Sequence, residues 1–151
     1  MLRTENQNTF MSSAQFIQGA LTGCREVEQD IREHLQEVDD NKRIEMQHIA
    51  DHEHKLASAL ERYLESGPDD VLNTRLQYQL DGKILENYKV NNLQDALKKL
   101  TRFNNKLATT FHDQAEKSGS PSVSEAMANL SSEFEALNRK ISMIQVADQD
   151  V

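Results

Sequence analysis

Apolar residues recur along most of the chain at alternating intervals of three and four positions, the spacing with which a helix buries one stripe of its surface. Four segments carry this spacing. They predict an all-α protein with four long helices of similar length, at about residues 10–38 (helix A), 42–66 (helix B), 92–117 (helix C) and 121–147 (helix D). Helices of equal length can cover one another's stripes completely, so we expect one antiparallel four-helix bundle.

Polar residues interrupt three of the four stripes. Glu28 falls on the stripe of helix A and Asn104 on that of helix C. The stripe of helix B is the most polar, because it runs Glu45, Ile49, His52, Leu56, Ala59 and Tyr63. Since buried charges must be paired or functional, we expect Glu28 and His52 to face each other across helices A and B.

Turn-forming and capping residues mark the ends of the later helices. Ser66-Gly67-Pro68 ends helix B, where Gly67 is expected to adopt the left-handed conformation, and Ser118-Gly119 ends helix C. Asn91 or Asn92 can cap helix C, and Ser122 can open helix D as part of a capping box.

The junction between helices A and B is less clear, because residues 38–41 contain Asp and Asn but no Gly or Pro. One alternative is a hairpin that turns near Asp40. The other is a single helix from Phe10 to Glu65, which would be roughly 80 Å long. The hairpin is favoured because it makes the four helices nearly equal.

Residues 67–91 are too many for a hairpin loop. They can run the length of helices that are about 38 Å long, so that helix C starts at the end where helix B began. Within this crossover the near-helical spacing of Val71, Leu72, Leu76 and Leu80 predicts a short helix lying across the bundle.

Two short turns, one long crossover and the tetrapeptide Glu45-Met46-Gln47-His48 together resemble the ferritin-like superfamily, over residues 10–147. Members that hold two metal ions use such a Glu-x-x-His motif on the second helix, and a second copy on the fourth. Helix D contains no His. The resemblance therefore implies the ferritin-like topology but only half of a two-metal motif.

Two other functions remain open, which are metal binding and histidine phosphotransfer. Glu45, His48 and His52 share a helical face at spacings of three and four, and with Glu28 they could form a nitrogen and oxygen site for Fe, Mn or Zn. Alternatively, residues 52–55 loosely resemble the His-x-x-Lys core of histidine-phosphotransfer domains, although Leu56 stands where a Gly is expected.

Composition narrows the function classes. The 151 residues suffice for one domain, residues 1–151. The net charge of −8 disfavours binding to nucleic acid and to membrane surfaces. The basic cluster Lys98, Lys99 and Arg102 is interpreted as a solvated helix face. No stretch has the apolar length of a membrane span, so a cytoplasmic location is expected. The single Cys24 is expected to be a small buried side chain.

No nucleophile with a nearby base and no glycine-rich phosphate loop is found, so catalysis is not indicated. We expect a non-enzymatic protein without a cofactor that acts through contacts with an unknown protein partner or, as a homodimer, with itself. Five residues outside the stripes would be partly exposed on a minimal bundle, and we expect some of them to pack under the crossover and others to form a dimer face: Phe16, Met46, Tyr78, Tyr88 and Phe103.

Overall fold

Four long helices pack around one hydrophobic core in the computed structural model, which describes residues 8–67, 69–72, 75–79 and 88–149. The predicted helical class is therefore confirmed. The long helices are α1 (Ser13–Glu33), α2 (Asp40–Ser66), α4 (Leu93–Lys117) and α5 (Pro121–Gln149), and a one-turn helix, α3 (Asp69–Leu72), lies in the crossover. Two short strands complete the described elements, β1 (Asn8–Ser12) and β2 (Arg75–Gln79).

The start of α1 lies later than its apolar spacing predicted. The Ser12 side chain accepts a hydrogen bond from the Gln15 backbone, and the Gln15 side chain accepts one from the Ser12 backbone, which forms a complete capping box. Phe10 therefore belongs to β1 and not to the first turn of a helix.

The strands pair antiparallel, with Asn8 opposite Gln79 and Ser12 opposite Arg75. The prediction of a short helix in the crossover is thus correct only for Asp69–Leu72, because residues 75–79 are extended. A partner strand from a distant part of the chain satisfies the backbone groups of this segment, and helical spacing of its apolar residues cannot reveal that partner.

The chain breaks between α1 and α2, so the single-helix alternative is wrong. A 3₁₀ turn at Leu35–Glu37 follows α1, and the Asp39 side chain then caps α2 by accepting from the Lys42 backbone at 2.9 Å. Arg43 holds the turn by donating to the backbone oxygens of Leu35 and Val38.

Helix α4 begins as predicted at Asn92, whose side chain accepts from the backbone of Asp95 at 2.8 Å. A carboxylate from the α1–α2 turn adds a second cap, because Glu37 accepts the backbone N–H of Leu93 at 2.9 Å. Negative charge at a helix N-terminus is favourable, so this contact also fixes the turn against the start of α4.

Two details of the helix ends differ from prediction. Pro121 itself is the first residue of α5, one position before the predicted cap Ser122, because proline already has the φ of a first helical residue and needs no N–H there. Gly67 has a φ of −70°, which is not left-handed. A side chain is excluded instead by close approach, since a Cβ there would lie 2.5 Å from the Tyr63 carbonyl oxygen.

Three phenylalanines form the centre of the core. Phe111 meets Phe16 edge to face, with ring centroids 5.2 Å apart, and stacks on Phe134 at 6.1 Å. Near this cluster α1 approaches α4 closely, because Gly23 presents no side chain to the ring of Phe103. Helix α1 packs most extensively against α2, and α4 against α5.

Side-chain pairs show the relative direction of neighbouring helices. Arg25 pairs with Glu61 and Arg32 with Asp51 across α1 and α2. Across α4 and α5, Ser131 donates to the Ala108 carbonyl and Asn138 to that of Thr101. In each set the residue number rises along one helix while it falls along the other. No helix among the described residues combines the length and apolar character of a membrane span.

Candidate functional site

The structure places Glu28 at the surface seam between α1 and α2. Its carboxylate accepts from Arg32 Nε at 2.8 Å and lies 3.1 Å from His54 Nδ1. The expectation that Glu28 faces His52 is therefore wrong, because His54 and Arg32 take that place. Arg32 continues to Asp51 at 2.9 Å and so links the two helices through a surface ion-pair network.

The other three predicted metal ligands do not converge with Glu28. Glu45 pairs with Lys42 at 3.0 Å on the surface, and His48 is exposed. His52 is half-buried toward α5, and its pKa is lowered chiefly by burial and then by the charge of Lys140. No group of three or more His, Cys, Asp or Glu side chains in the described part of the chain is placed to hold a metal ion. Glu28, Glu45, His48 and His52 therefore form no shared coordination site in this arrangement.

The four predicted ligands do not converge because α2 buries a different face from the one that its apolar spacing predicted. The side chains that α2 buries are Met46, Ile49, Ala50, Glu53, Leu56, Ala57 and Leu60. Ile49 and Leu56 are the only residues common to this set and the predicted stripe. Glu45 and His52 thus rotate to the edges of the helix, and the carboxylate that enters the core is Glu53.

Glu53 lies in the centre of the bundle with Asn104 of α4 and Cys24 of α1. All three are fully buried, at 0% exposure. Asn104 Nδ2 donates to Glu53 Oε1 at 2.8 Å, and the Cys24 thiol hydrogen-bonds the same carboxyl group. Glu53 Oε2 and Asn104 Oδ1 accept no hydrogen bond from the described residues. The prediction that Cys24 is buried is confirmed.

Burial raises the pKa of Glu53 from 4.5 to about 7. The hydrogen bonds from Asn104 and Cys24 lower it, and the nearby charge of Glu28 raises it further. Protonation removes a buried charge and turns one carboxylate oxygen into a donor, so the neutral acid is the form that suits this core. Burial likewise raises the pKa of the Cys24 thiol, which makes it a poor nucleophile.

The second buried charge is Lys99, which sequence analysis had placed on a solvated face. Its side chain is only 8% exposed, and its ammonium donates to Glu26 at 2.7 Å and to Asp30 at 2.8 Å. Burial lowers the pKa of Lys99, but the two carboxylates more than offset this effect and raise it. The contact ties α4 to α1, so the solvated-face interpretation holds only for Lys98 and Arg102.

A groove of about 770 Å³ opens at the end of the bundle where α2 and α4 begin. We call it the end groove, and it is lined by Glu37, Val38, Lys42, Met46, Ile49, Asn92, Leu93, Gln94, Leu97, Lys98, Thr101, Arg102, Ile141 and Ile144. Its floor is apolar, because Met46, Ile49, Leu97 and Ile141 are core residues. Its volume lies in the range of roughly 300–1,000 Å³ that is typical of small-molecule pockets.

Charged side chains stand at the rim of the end groove. Lys42 comes from α2, Lys98 and Arg102 come from α4, and Glu37 comes from the turn before α2. The Glu37 carboxylate is already engaged by His34 and by the backbone of Leu93, and the hydrogen bond from His34 is the main reason why its pKa is lowered. The rim is therefore positive, in contrast to the chain as a whole.

The residues expected to form a dimer face are mostly interior. Phe16, Met46 and Phe103 are 1–2% exposed, so the prediction of partial exposure is wrong for them. Tyr88 is half-buried beneath the guanidinium of Arg102, which lies 5.3 Å from the ring centroid. The side chain of Tyr78 is outside the described residues, and the homodimer stays a prediction.

Comparison of the chain with protein-family models, with characterised proteins and with solved structures finds no match.

Sequence reasoning missed Glu53 and the end groove for different reasons. One signal for Glu53 was present, because it stands one helical turn after Ile49 and one turn before Leu56 and Ala57. The end groove had no such signal, since its lining comes from three helices and a turn that are distant in the sequence.

Proposed function

We propose that this protein is a non-enzymatic helical bundle of ferritin-like topology that acts by binding another protein in its end groove. The topology is supported by the opposed numbering of the α1–α2 and α4–α5 contacts and by the contact of Lys99 with Glu26 and Asp30. With α4 running against α1, the segment between α2 and α4 has to cross the length of the bundle.

The observation that carries the functional proposal is the end groove itself. It combines a floor of core apolar residues with a rim of long polar side chains, which is the usual arrangement of a protein-binding cleft. Apolar side chains of a partner would fill the groove against this floor, whose residues are already only 0–8% exposed, while Gln94 and Thr101 offer polar contacts at its edge.

The chemistry of the lining favours binding over catalysis. The lining residues of the end groove include no His and no Cys, so they offer neither an imidazole base nor a thiol. The buried acid Glu53 is not among them, and Cys24, which contacts it, lies in the core. This separation of the titratable core groups from the groove supports a non-enzymatic role.

Site-specific photo-crosslinking in the native cells tests the proposal. A crosslinking amino acid at Gln94, which is exposed in the groove, is expected to capture a discrete protein adduct, whereas one at the exposed Ser132 on α5 is not. Thr101→Trp fills the groove and should abolish the Gln94 adduct. Thr109→Trp adds the same side chain at an exposed position of α4 outside the groove and should leave it intact.

Adducts that form equally at Gln94 and Ser132, or that survive Thr101→Trp in a protein with an unchanged melting temperature, would contradict the proposed function. Either result would place the partner contact elsewhere on the surface.

A further inference from the structure

We infer that the occupant of the end groove is an acidic amphipathic helix of a partner protein. This inference rests on the proposed function and adds to it the kind of element that is recognised. It follows from the charge of the rim and from the length of the floor.

The rim carries three cations, Lys42, Lys98 and Arg102, in a chain whose net charge is −8. The single acid among the lining residues, Glu37, has its carboxylate occupied by His34 and the Leu93 N–H. The groove is thus a local positive region on an otherwise acidic molecule. Charge complementarity therefore favours an acidic partner and disfavours a basic one.

The rim cations can reach a partner. Lys98 is exposed and forms no ion pair with the described residues, in contrast to its neighbour Lys99. Arg102 is exposed, its Cζ lies 5.3 Å from the centroid of the Tyr88 ring, and no carboxylate of the described residues pairs with it, so its guanidinium can donate to a partner carboxylate. Lys42 pairs with Glu45 and its side chain is only 22% exposed, so it is the least accessible of the three cations.

The floor has the length of about two helical turns. On α2 the lining runs from Lys42 to Ile49, and on α4 from Leu93 to Arg102, which correspond to roughly 10 and 14 Å at 1.5 Å per residue. A helix that presents apolar residues at positions i, i+3, i+4 and i+7 covers this distance with one face. Its acidic flanks would then lie beside the rim cations. The flexible side chain of Met46 suits a floor that must fit an incoming side chain.

Fluorescence anisotropy with three synthetic peptides tests the inference. The peptides share one length, one helix-favouring apolar stripe and a fluorescent label, and they carry Glu, Gln or Lys on their polar flanks. The Glu peptide is expected to bind at least about tenfold more tightly than the Gln peptide at low salt, and the Lys peptide is expected not to bind. This advantage should largely disappear in about 1 M salt, where charges are screened.

Paired variants locate the charge effect. Lys98→Gln with Arg102→Gln should lower the affinity for the Glu peptide about tenfold and leave the affinity for the Gln peptide unchanged. Lys55→Gln with Arg62→Gln removes the same charge from exposed positions of α2 outside the groove, and it should change neither affinity appreciably. Equal melting temperatures of both double variants exclude unfolding as the cause.

Several results would overturn the inference without overturning the proposed function. Equal affinities of the Glu and Gln peptides, both lost in Thr101→Trp, would show a groove that selects apolar shape alone. Self-association that Lys98→Gln with Arg102→Gln dissolves would identify a second copy of this chain as the occupant. By contrast, binding of laurate in place of any peptide would show a groove for anionic amphiphiles and would overturn the proposed function together with the inference. If the Gln94 crosslinks also fail, the proposed function fails with the inference.

Discussion

Glu53 is the residue at which electrostatics and packing conflict most directly. It occupies a core position in α2, where apolar side chains are usual, and its carboxyl group is fully buried beside Asn104 and Cys24. A buried carboxylate loses its hydration, and one amide and one thiol replace that hydration only in part. Its protonation state should therefore control the stability of the fold.

The expected pH dependence has a definite sign. The pKa of Glu53 is raised by burial from 4.5 to about 7, so its contribution to stability is fully present below pH 4.5 and is lost as pH rises through 7. The loss corresponds to about 3 kcal/mol for a shift of this size. Glu53→Gln keeps the shape and the neutral charge of the protonated acid. Relative to the natural protein, the variant should therefore gain stability between pH 5 and pH 8, measured by urea unfolding.

The comparison of the two proteins at each pH removes the contribution of the other titrating groups, since both proteins share them. Asp51 is the matched control, because its carboxylate is exposed and its pKa is lowered by the hydrogen bond from Arg32. Asp51→Asn should not reproduce the gain at pH 8. A stability difference between Glu53→Gln and the natural protein that stays constant from pH 5 to 8 would contradict the account.

Gly23 determines how closely α1 and α4 approach. A Cβ at this position would lie 2.4 Å from the ring of Phe103, whose side chain is buried and cannot move into solvent. Gly23→Ala should therefore destabilise the fold by about 1–3 kcal/mol in chemical denaturation, although alanine has the higher helix propensity. Phe103→Leu in the same protein should recover part of the loss.

Gly119 serves as the comparison, because nothing lies within 4 Å of a Cβ at that position. Gly119→Ala is expected to change the unfolding free energy by no more than about 0.5 kcal/mol. If both alanine variants behave alike, the close contact of Gly23 with Phe103 does not limit the packing of α1 on α4.

At the scale of the helices, Lys99 is the main electrostatic contact between α1 and α4. Lys99→Met keeps the length of the side chain but leaves Glu26 and Asp30 side by side without their cation, and the Asp30 side chain is only 17% exposed. We expect a loss of about 1–3 kcal/mol in the free energy of unfolding, since a partly buried charge is left without its partner. Adding Glu26→Gln and Asp30→Asn to the Lys99→Met variant should restore most of the lost unfolding free energy.

Lys98→Met is the matched control for this experiment. It removes the same charge one residue earlier, from an exposed position, and should change stability by no more than about 0.5 kcal/mol. Should Lys98→Met cost as much as Lys99→Met, the ion pairs to α1 would not explain the effect.

The helices differ in how well their sequences predicted them. The break before Asp40 and the Asn92 cap followed from local chemistry, and the structure shows both. The face of α2 did not follow, because this helix carries polar residues all around and a charged residue is assumed to point to water. Inside the core, Glu53 accepts a hydrogen bond from Asn104, which is 51 positions away, and no spacing rule contains such a contact. The same limit applies to β1, whose partner β2 is far along the chain.

At the scale of the whole molecule, the sequence predicted one helical core but not the position of the groove in its surface. The apolar stripes account for much of the core, but Phe16, Met46 and Phe103, which lie outside the predicted stripes, are core residues as well. The end groove depends on how the ends of α2, α4 and α5 are spaced, and it uses core residues such as Ile49 and Ile141 as a floor. In the sequence, these residues cannot be distinguished from apolar residues that other helices cover. The position of the candidate site is therefore apparent only in the assembled bundle.

The most direct test of the binding account is hydrogen–deuterium exchange of the intact protein with and without the Glu peptide. Protection should increase in the segments that line the end groove, at the start of α2 and at the start of α4, and it should be absent in Thr101→Trp. The middle of α1 and the exposed face of α5 should exchange at an unchanged rate. Protection that spreads evenly over all helices, or that persists in Thr101→Trp, would contradict the assignment of the end groove as the protein-binding site.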